Sequence, residues 1–329
     1  MRLQRNCGLE SNPYLLHGVG FKHHAFFVCE FVNEQQFFKR TAMDTTVADI
    51  VRIMNRLAPP WLAEEWDNVG LQIGDLRWPV RSIWTTLDPT LEVVKAACAE
   101  DVDLLIAHHP LFFRPLKCID FQSPSGSIVQ SASQHQLAIF SAHTNLDIVH
   151  DGVNDVLARR LGLNQLEILQ PHKVEQPLKT NDDMAHDISP VIDNAIEHGI
   201  GRIGFLHKVR SLTSLALAVK EKLNLNFVKV AGNPELKISQ VAICSGSGSS
   251  LMKAFLASNA QVYISGDIHY HDARDAESAN RAIIDIGHFA SEHLMVEALA
   301  QQLATIFAEA GIKVKIRPCT IEKDPFSIL

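Results

Sequence analysis

The chain has 329 residues, 47% of them apolar and 20% charged, with a net charge of −7 and a pI of about 6.1. That length and balance specify a folded globular protein with room for two packed lobes, and they exclude global disorder. No basic stripe offers an electrostatic footprint for nucleic acid, and no apolar run approaches the roughly 18–20 residues that span a bilayer. The six cysteines, Cys7, Cys29, Cys98, Cys118, Cys244 and Cys319, form no C-x-x-C pair and match neither a disulfide framework nor a zinc ribbon. Scattered thiols of this kind predict a reducing, cytoplasmic setting.

Residues 1–42 cluster Phe26, Phe27, Phe31, Phe37 and Phe38 without a helical or strand period. Cys29 and Glu30 interrupt any signal-peptide core. The expectation is an extension that is disordered or a mis-assigned start, with Met43 as the natural beginning. Asp44-Thr45-Thr46 then caps a helix carrying Val47, Ile50, Val51, Met54 and Leu57 at helical spacing, stopped by Pro59-Pro60. From residue 82 strands and helices alternate: a strand over 82–87 ending at Asp88, a helix over 90–100, a strand over 103–107, a helix near 126–136, a strand over 138–142 and a helix near 153–161. The stretch from 164 to 235 holds Pro171, Pro177 and Pro190, a glycine-punctuated turn over 199–204 and an amphipathic helix over 211–223. The rhythm resumes with strands over 240–244, 261–265 and 282–286, helices from Ser249 and near 273–280, a long helix from Phe289 to Ala310 and a last strand over 313–317. This predicts an α/β fold, two α/β lobes with mostly parallel sheets flanked by helices. The expected organisation is the 1–42 extension, a first lobe over 43–165, a connecting region over 166–235 and a second lobe over 236–329.

Three strand ends deliver candidate ligands. His108 and His109 follow the apolar run ending at Ala107, with Pro110 holding His109 extended. Ligand sites in α/β sheets collect beyond such carboxyl ends. Neighbours on extended backbone point apart, so the pair suits two adjacent metals better than one. His143 and Asp147 follow the strand over 138–142. His288 and Glu292 follow the strand over 282–286, four residues apart and so on one helical face. Imidazoles and carboxylates together suit Zn, Mn, Fe, Co or Ni. Five ligands, His108, His109, Asp147, His288 and Glu292, exceed what one tetrahedral ion needs, so two divalent ions, held between the lobes, use them better. Cys244-Ser245-Gly246-Ser247-Gly248-Ser249 reads either as a phosphate-cradling loop or as a tight turn that lets strand and helix pack. Asp67 and Asn68 read as ligand-orienting groups or as a helix cap.

At these residues the sequence resembles the GTP cyclohydrolase 1 type 2 homologs, also described as Nif-three-like dinuclear metal center hexameric proteins. The resemblance runs from about Met43 to the C-terminus. It is carried by Glu65-Trp66-Asp67-Asn68-Val69-Gly70-Leu71, by Ala107-His108-His109-Pro110 with Phe112 and Pro115, and by His143-Thr144 with Asp147. Gly201-Arg202-Ile203-Gly204, the loop 244–249, Ser265-Gly266-Asp267 through His271-Asp272, and Gly287-His288 with Glu292 complete it. The resemblance implies two metal ions on the five ligands, a homohexamer with its metal sites facing an interior cavity, and His143 and His271 close enough to act on substrate or solvent. The function expected is metal-dependent hydrolysis of a nucleotide or related small molecule, with His143 and His271 as catalytic proton carriers or as supporting hydrogen-bond partners. The alternatives are a non-enzymatic metal-binding scaffold or regulator, or a different dinuclear hydrolase such as a phosphodiesterase or an amide hydrolase.

Overall fold

A computed structural model describes residues 45–172 and 197–327, all within one compact unit. The extension expected over 1–42 lies outside the described residues. Helix α1 (Val47–Leu57) opens the fold; its N-cap is Thr46, in a capping box with Asp49. Strands β1 (Gly70–Ile73) and β2 (Ser82–Thr86), helix α2 (Leu91–Ala99), strand β3 (Leu104–Ala107), helix α3 (Pro124–Gln134), strand β4 (Ala138–Ser141) and helices α4 (Thr144–Ile148) and α5 (Val153–Leu161) follow. Then come β5 (Asn164–Pro171), β6 (Gly199–Ser211), α6 (Leu212–Lys222), β7 (Lys229–Ala231), β8 (Lys237–Ser247), α7 (Met252–Ala257) and β9 (Val262–Gly266). Helix α8 (Tyr270–Ser278), β10 (Ala282–Asp285), α9 (His288–Glu292), α10 (Leu294–Ala310) and β11 (Lys315–Pro318) end the chain. No helix among the described residues is long and apolar enough to cross a membrane.

The first sheet runs β1-β4-β3-β2-β11, parallel except for β1. Its central strands β3 and β4 are buried on both faces because both are covered. Ile83, Leu104, Ile106 and Phe140 pack toward α1 and α10, while the alternate residues Trp84, Leu105 and Ile139 pack toward α2 and α3. Helix α10 and β11 thus return to the first sheet although they follow the second in sequence. Parallel pairing of β11 with β2 requires a crossover, and α10 supplies it with Met295, Leu299, Leu303 and Phe307 buried. The long helix expected from Phe289 slips its hydrogen bonding at His293, whose backbone stays helical at φ −58°, ψ −23°.

The second sheet runs β5-β6-β8-β9-β10-β7. Its centre, β8-β9-β10, is parallel, and antiparallel β6 and β7 flank it. Val241, Ile243, Val262, Ile264 and Ile284 face α5 and α6; Ala242, Cys244, Tyr263 and Ile283 face α7 and α8. The stretch read as a connection contributes β5, β6 and β7 to this sheet and α6 to the layer packed on it. Its glycines mark close strand approach rather than a turn. Gly201 sits at φ +66° with Ile243 O and Leu169 where a Cβ would fall, and a Cβ at Gly204 would meet Leu163 and Leu166. Buried Arg202 on β6 closes bidentately on Asp155 at 2.8 and 2.9 Å and also donates to the carbonyls of Gly199, Gly201 and Val149.

Candidate metal centre

The carboxyl ends of the parallel strands supply the site. Strand β3 runs on past Ala107: His108 N–H donates to Thr86 O and His109 N–H to Leu87 O, so both imidazoles are placed by continued sheet pairing. Strand β4 is followed by Ala142 and His143, the N-cap of α4, and one turn of α4 brings Asp147 inward. Beyond β10, Gly287 at φ +81° turns the chain into α9. His288 and Glu292 there meet as their spacing predicts, Nε2 to Oε2 2.9 Å.

These side chains converge. Glu292 Oε2 lies 3.0 Å from His109 Nε2 and 2.9 Å from His288 Nε2. Its other oxygen, Oε1, lies 3.8 Å from His108 Nε2, which is 3.7 Å from Asp147 Oδ1. Three overlapping groups result: His109, His288 and Glu292; His108, Asp147 and Glu292; and His108, His109 and His143. Within each, the potential ligand atoms lie within 4.8 Å of one another. All five expected ligands therefore come together, and His143 joins them. His271 does not: it lies exposed on the first turn of α8, in edge contact with Tyr270.

What orients the rings is a second layer that the sequence indicated only at Asp67. In each ring Nδ1 is engaged: His108 with Ala142 O at 2.9 Å, His109 with Asp88 at 2.8 Å, His143 with Asp67 at 2.9 Å, and His288 with Asp267 at 2.8 Å. An acceptor on Nδ1 fixes the tautomer that leaves Nε2 as the ligating atom. The signal for Asp88 and Asp267 was their position, within two residues of the ends of β2 and β9, at the same end of the sheets as the ligands. Asp67 is itself held by Thr144, whose N–H and hydroxyl donate to its second oxygen. Against the opposing effect of burial, the hydrogen bonds from His143 and Thr144 bring its pKa down to about 2.

The electrostatics fit a cation. Burial opposes charge on His109, but Asp88 and Glu292 outweigh it and hold the imidazole at about 10. Glu292 likewise lifts His288 to about 9, against burial. Glu292 is buried, yet the three imidazoles around it keep its pKa well below the usual carboxylate range. Asp147 is raised, by burial first and by repulsion from Glu292. Carboxylates and imidazoles packed this tightly out of water call for positive charge among them. His108 Nε2 is buried with no hydrogen-bond partner among the described residues, the state of a ligand atom aimed at an ion. This donor set, imidazole nitrogens that would give up their protons to an ion together with carboxylate oxygens, fits a divalent metal.

The serine- and glycine-rich end of β8 serves the cluster from behind. Ser245 N–H donates to Asn154 Oδ1 and Gly246 N–H to Ser291 Oγ, so these two amides are turned inward, away from any phosphate. Ser245 Oγ donates to Asp147 Oδ1 at 3.2 Å. Gly246 adopts φ +61°, and a Cβ there would overlap Glu292 Oε1. The tight-packing reading of this loop describes these contacts.

Residues 45–325 match the family model Duf34/NIF3 (NGG1p interacting factor 3). The GTP cyclohydrolase 1 type 2 homolog of Streptococcus pneumoniae (serotype 4) is 32% identical over 283 residues, covering 85% of this chain and 98% of that protein. The homolog of the same name from Bacillus subtilis (strain 168) is 28% identical, over 85% of this chain and 98% of its own length. Among solved structures, the Bacillus cereus protein related to NIF3 superposes with a TM-score of 0.77 at 28% identity, covering 87% of this chain and 99% of that one.

Proposed function

The chain belongs to the Duf34/NIF3 family, and from that membership and the geometry of its cluster we propose that it is a dinuclear metal-dependent hydrolase of a nucleotide or related small molecule. The observation behind this reading is the division of Glu292 between two ligand groups, Oε2 toward His109 and His288, Oε1 toward His108 and Asp147. Two groups sharing one carboxylate fit two neighbouring ions, one on His109 and His288, the other on His108 and Asp147, with Glu292 common to both. Divalent ions held there, drawn from Zn, Fe, Mn, Co and Ni, would supply the positive charge that polarises the bond attacked and makes water a nucleophile near neutral pH.

The protein's own residues do the rest. Asp88, Asp67, Asp267 and the Ala142 carbonyl lock the four imidazoles with Nε2 inward. His143, whose Nδ1 faces a carboxylate held ionised, is placed to take a proton at Nε2 and return it to a leaving group. The proton-carrying role falls to His143 and not to exposed His271. The names of the curated relatives support a nucleotide substrate. The homohexamer implied by the sequence resemblance is part of this proposal, as is a cytoplasmic setting, for which the free thiols of Cys98, Cys118, Cys244 and Cys319 speak.

Metal analysis of protein purified without added metal, followed by assay of the loaded protein against GTP and a nucleotide panel, tests the proposal. It requires about two ions per chain and turnover that His108→Ala abolishes. Turnover indifferent to that substitution removes the metal mechanism. Bound metal without turnover on any substrate turns the reading to a scaffold or regulator. Light scattering checks the hexamer.

A further inference from the structure

Two large aromatic rings stand in solvent beside the cluster. Trp66 is 59% exposed and Phe113 50%. They are 10° from parallel with centroids 6.4 Å apart, and each meets the His143 imidazole edge-on, at 6.0 and 5.5 Å. Both are covalently close to the site: Trp66 precedes Asp67, the partner of His143, and Phe113 lies on the loop that leaves His109 and Pro110. Leaving such rings half in water forgoes part of the stabilisation that burial would give. An exposed aromatic pair attached to the residues of a polar centre therefore points to something that covers it.

The geometry narrows what that is. A flat ring is the shape that lies against two nearly parallel rings, and so placed it stands nearly perpendicular to the imidazole of His143, as they do. The charges of the loop add a second requirement. Between His109 and α3 its charged residues are Arg114, Lys117 and Asp120, all exposed, and the one adjoining Phe113 is the cation Arg114. A ligand whose ring rests on Phe113 meets cations suited to an anionic tail.

We propose that Trp66 and Phe113 form a stacking platform for the planar heteroaromatic ring of the molecule handled at the metal centre, with Arg114 and Lys117 receiving its phosphate groups. This rests on the hydrolase reading above and narrows its substrate to a nucleotide-like molecule held by its base. Stacking on an aromatic side chain is tolerant of base identity, because every base has a π-face.

The test titrates the metal-loaded full chain with guanosine, GTP and ribose 5-phosphate by calorimetry, with tryptophan fluorescence as a second reading. Guanosine and GTP are expected to bind and quench, and Trp66→Ala and Phe113→Ala each to weaken guanosine by roughly tenfold. Metal affinity in both variants should stay at the unmodified value, which separates loss of the platform from loss of the fold. The double variant Arg114→Ala, Lys117→Ala should weaken GTP and leave guanosine unchanged. Guanosine affinity unaffected by either ring substitution overturns the platform, as does ribose 5-phosphate binding as tightly as GTP, or no binding of guanosine to the unmodified chain. Ring-dependent binding without turnover keeps the platform and removes the hydrolase. Nucleotide turnover indifferent to both rings does the reverse.

Discussion

The Nε2 atoms of His109 and His288 stand 3.4 Å apart, and one oxygen of Glu292 lies within 3.0 Å of both. Two ring nitrogens approach a shared oxygen this closely only when protons or a metal ion lie between them. Protons and metal therefore compete for the same atoms.

That competition sets a pH dependence. The folded pKa values, about 10 for His109 and about 9 for His288, lie above the ordinary imidazole value of about 6.5. Groups raised on folding stabilise the protein fully below the unfolded value and lose that contribution as pH rises through the folded values. Chelator-treated protein should therefore melt at progressively lower temperature from pH 6.5 toward pH 9, and metal should bind more tightly over the same range, releasing protons. Calorimetry in buffers of different ionisation enthalpy reads the proton count. A chelated protein that gains stability between pH 7 and pH 9 would contradict this assignment.

Gly246 is the place where a single methyl should strike the centre. Its left-handed backbone disfavours alanine by about 1–2 kcal/mol, and the added Cβ would occupy the space of Glu292 Oε1. Gly246→Ala is expected to lose metal affinity out of proportion to its fall in melting temperature. A chelator-competition titration measures the first and a thermal melt the second. Unchanged metal affinity would show that Glu292 does not need the position it holds here.

The carboxylates behind the imidazoles should matter in proportion to their burial. Asp88→Asn and Asp67→Asn remove charge from partners of His109 and His143, and second-layer changes of this kind typically cost roughly 10–100-fold in metal affinity or activity. Asp67, whose side chain is inaccessible, holds the proton carrier His143, so Asp67→Asn should cost turnover more than metal affinity. Asp267, half-exposed beside a partly exposed His288, should cost less metal affinity than Asp88, because water can replace it. Metal dissociation constants and turnover of the three variants give the order, and a loss of metal affinity in Asp267→Asn exceeding that in Asp88→Asn would overturn it.

The parts of this arrangement legible in the sequence were those written in local pattern. Apolar runs ending in His108-His109, His143 and His288 could be read because a strand buried on both faces is nearly uniform in composition, so a polar residue at its end stands out. The four-residue step from His288 to Glu292 could be read because it matches one helical turn. Strands β1 and β6 could not: β1, at a sheet edge, is half-buried at every position, and β6, between β5 and β8, is interrupted by glycines whose cause, contact with neighbouring strands, is a tertiary fact. Asp88 and Asp267 look like ordinary turn residues until the sheets place them against imidazoles more than twenty positions away. The return of α10 and β11 to the first sheet is likewise invisible locally, since the pattern of α10 would suit either sheet.

Arg202 offers a contrast in which stability and metal binding should separate. Its guanidinium is buried and bidentate on Asp155, at the junction of β6 with α5. Removing one member of a buried pair typically costs about 3–5 kcal/mol, because the other charge is left without compensation. Asp155→Asn should lower the denaturation midpoint strongly. Arg202→Met together with Asp155→Leu should recover part of the loss, because no lone charge remains. Urea titrations decide this, and a double variant less stable than the single one would refute the argument.

Glu322, far along the C-terminal segment, reaches the same centre through two relays. Its carboxylate is buried and accepts the backbone N–H groups of Leu87 and Asp88 at 2.8–3.0 Å. Asp88 in turn holds His109, so Glu322 fixes a ligand it does not touch. Glu322→Ala leaves two amides without acceptors and frees the loop after β2. Metal affinity should fall in the same direction as for Asp88→Asn, and Glu322→Gln, which keeps an acceptor oxygen, should retain more of it. Because both substitutions act through His109, their effects should not add: the double variant Asp88→Asn, Glu322→Ala should lose less affinity than the sum of the two single losses. Strict additivity in that cycle would mean that the tail stabilises the fold without positioning the imidazole.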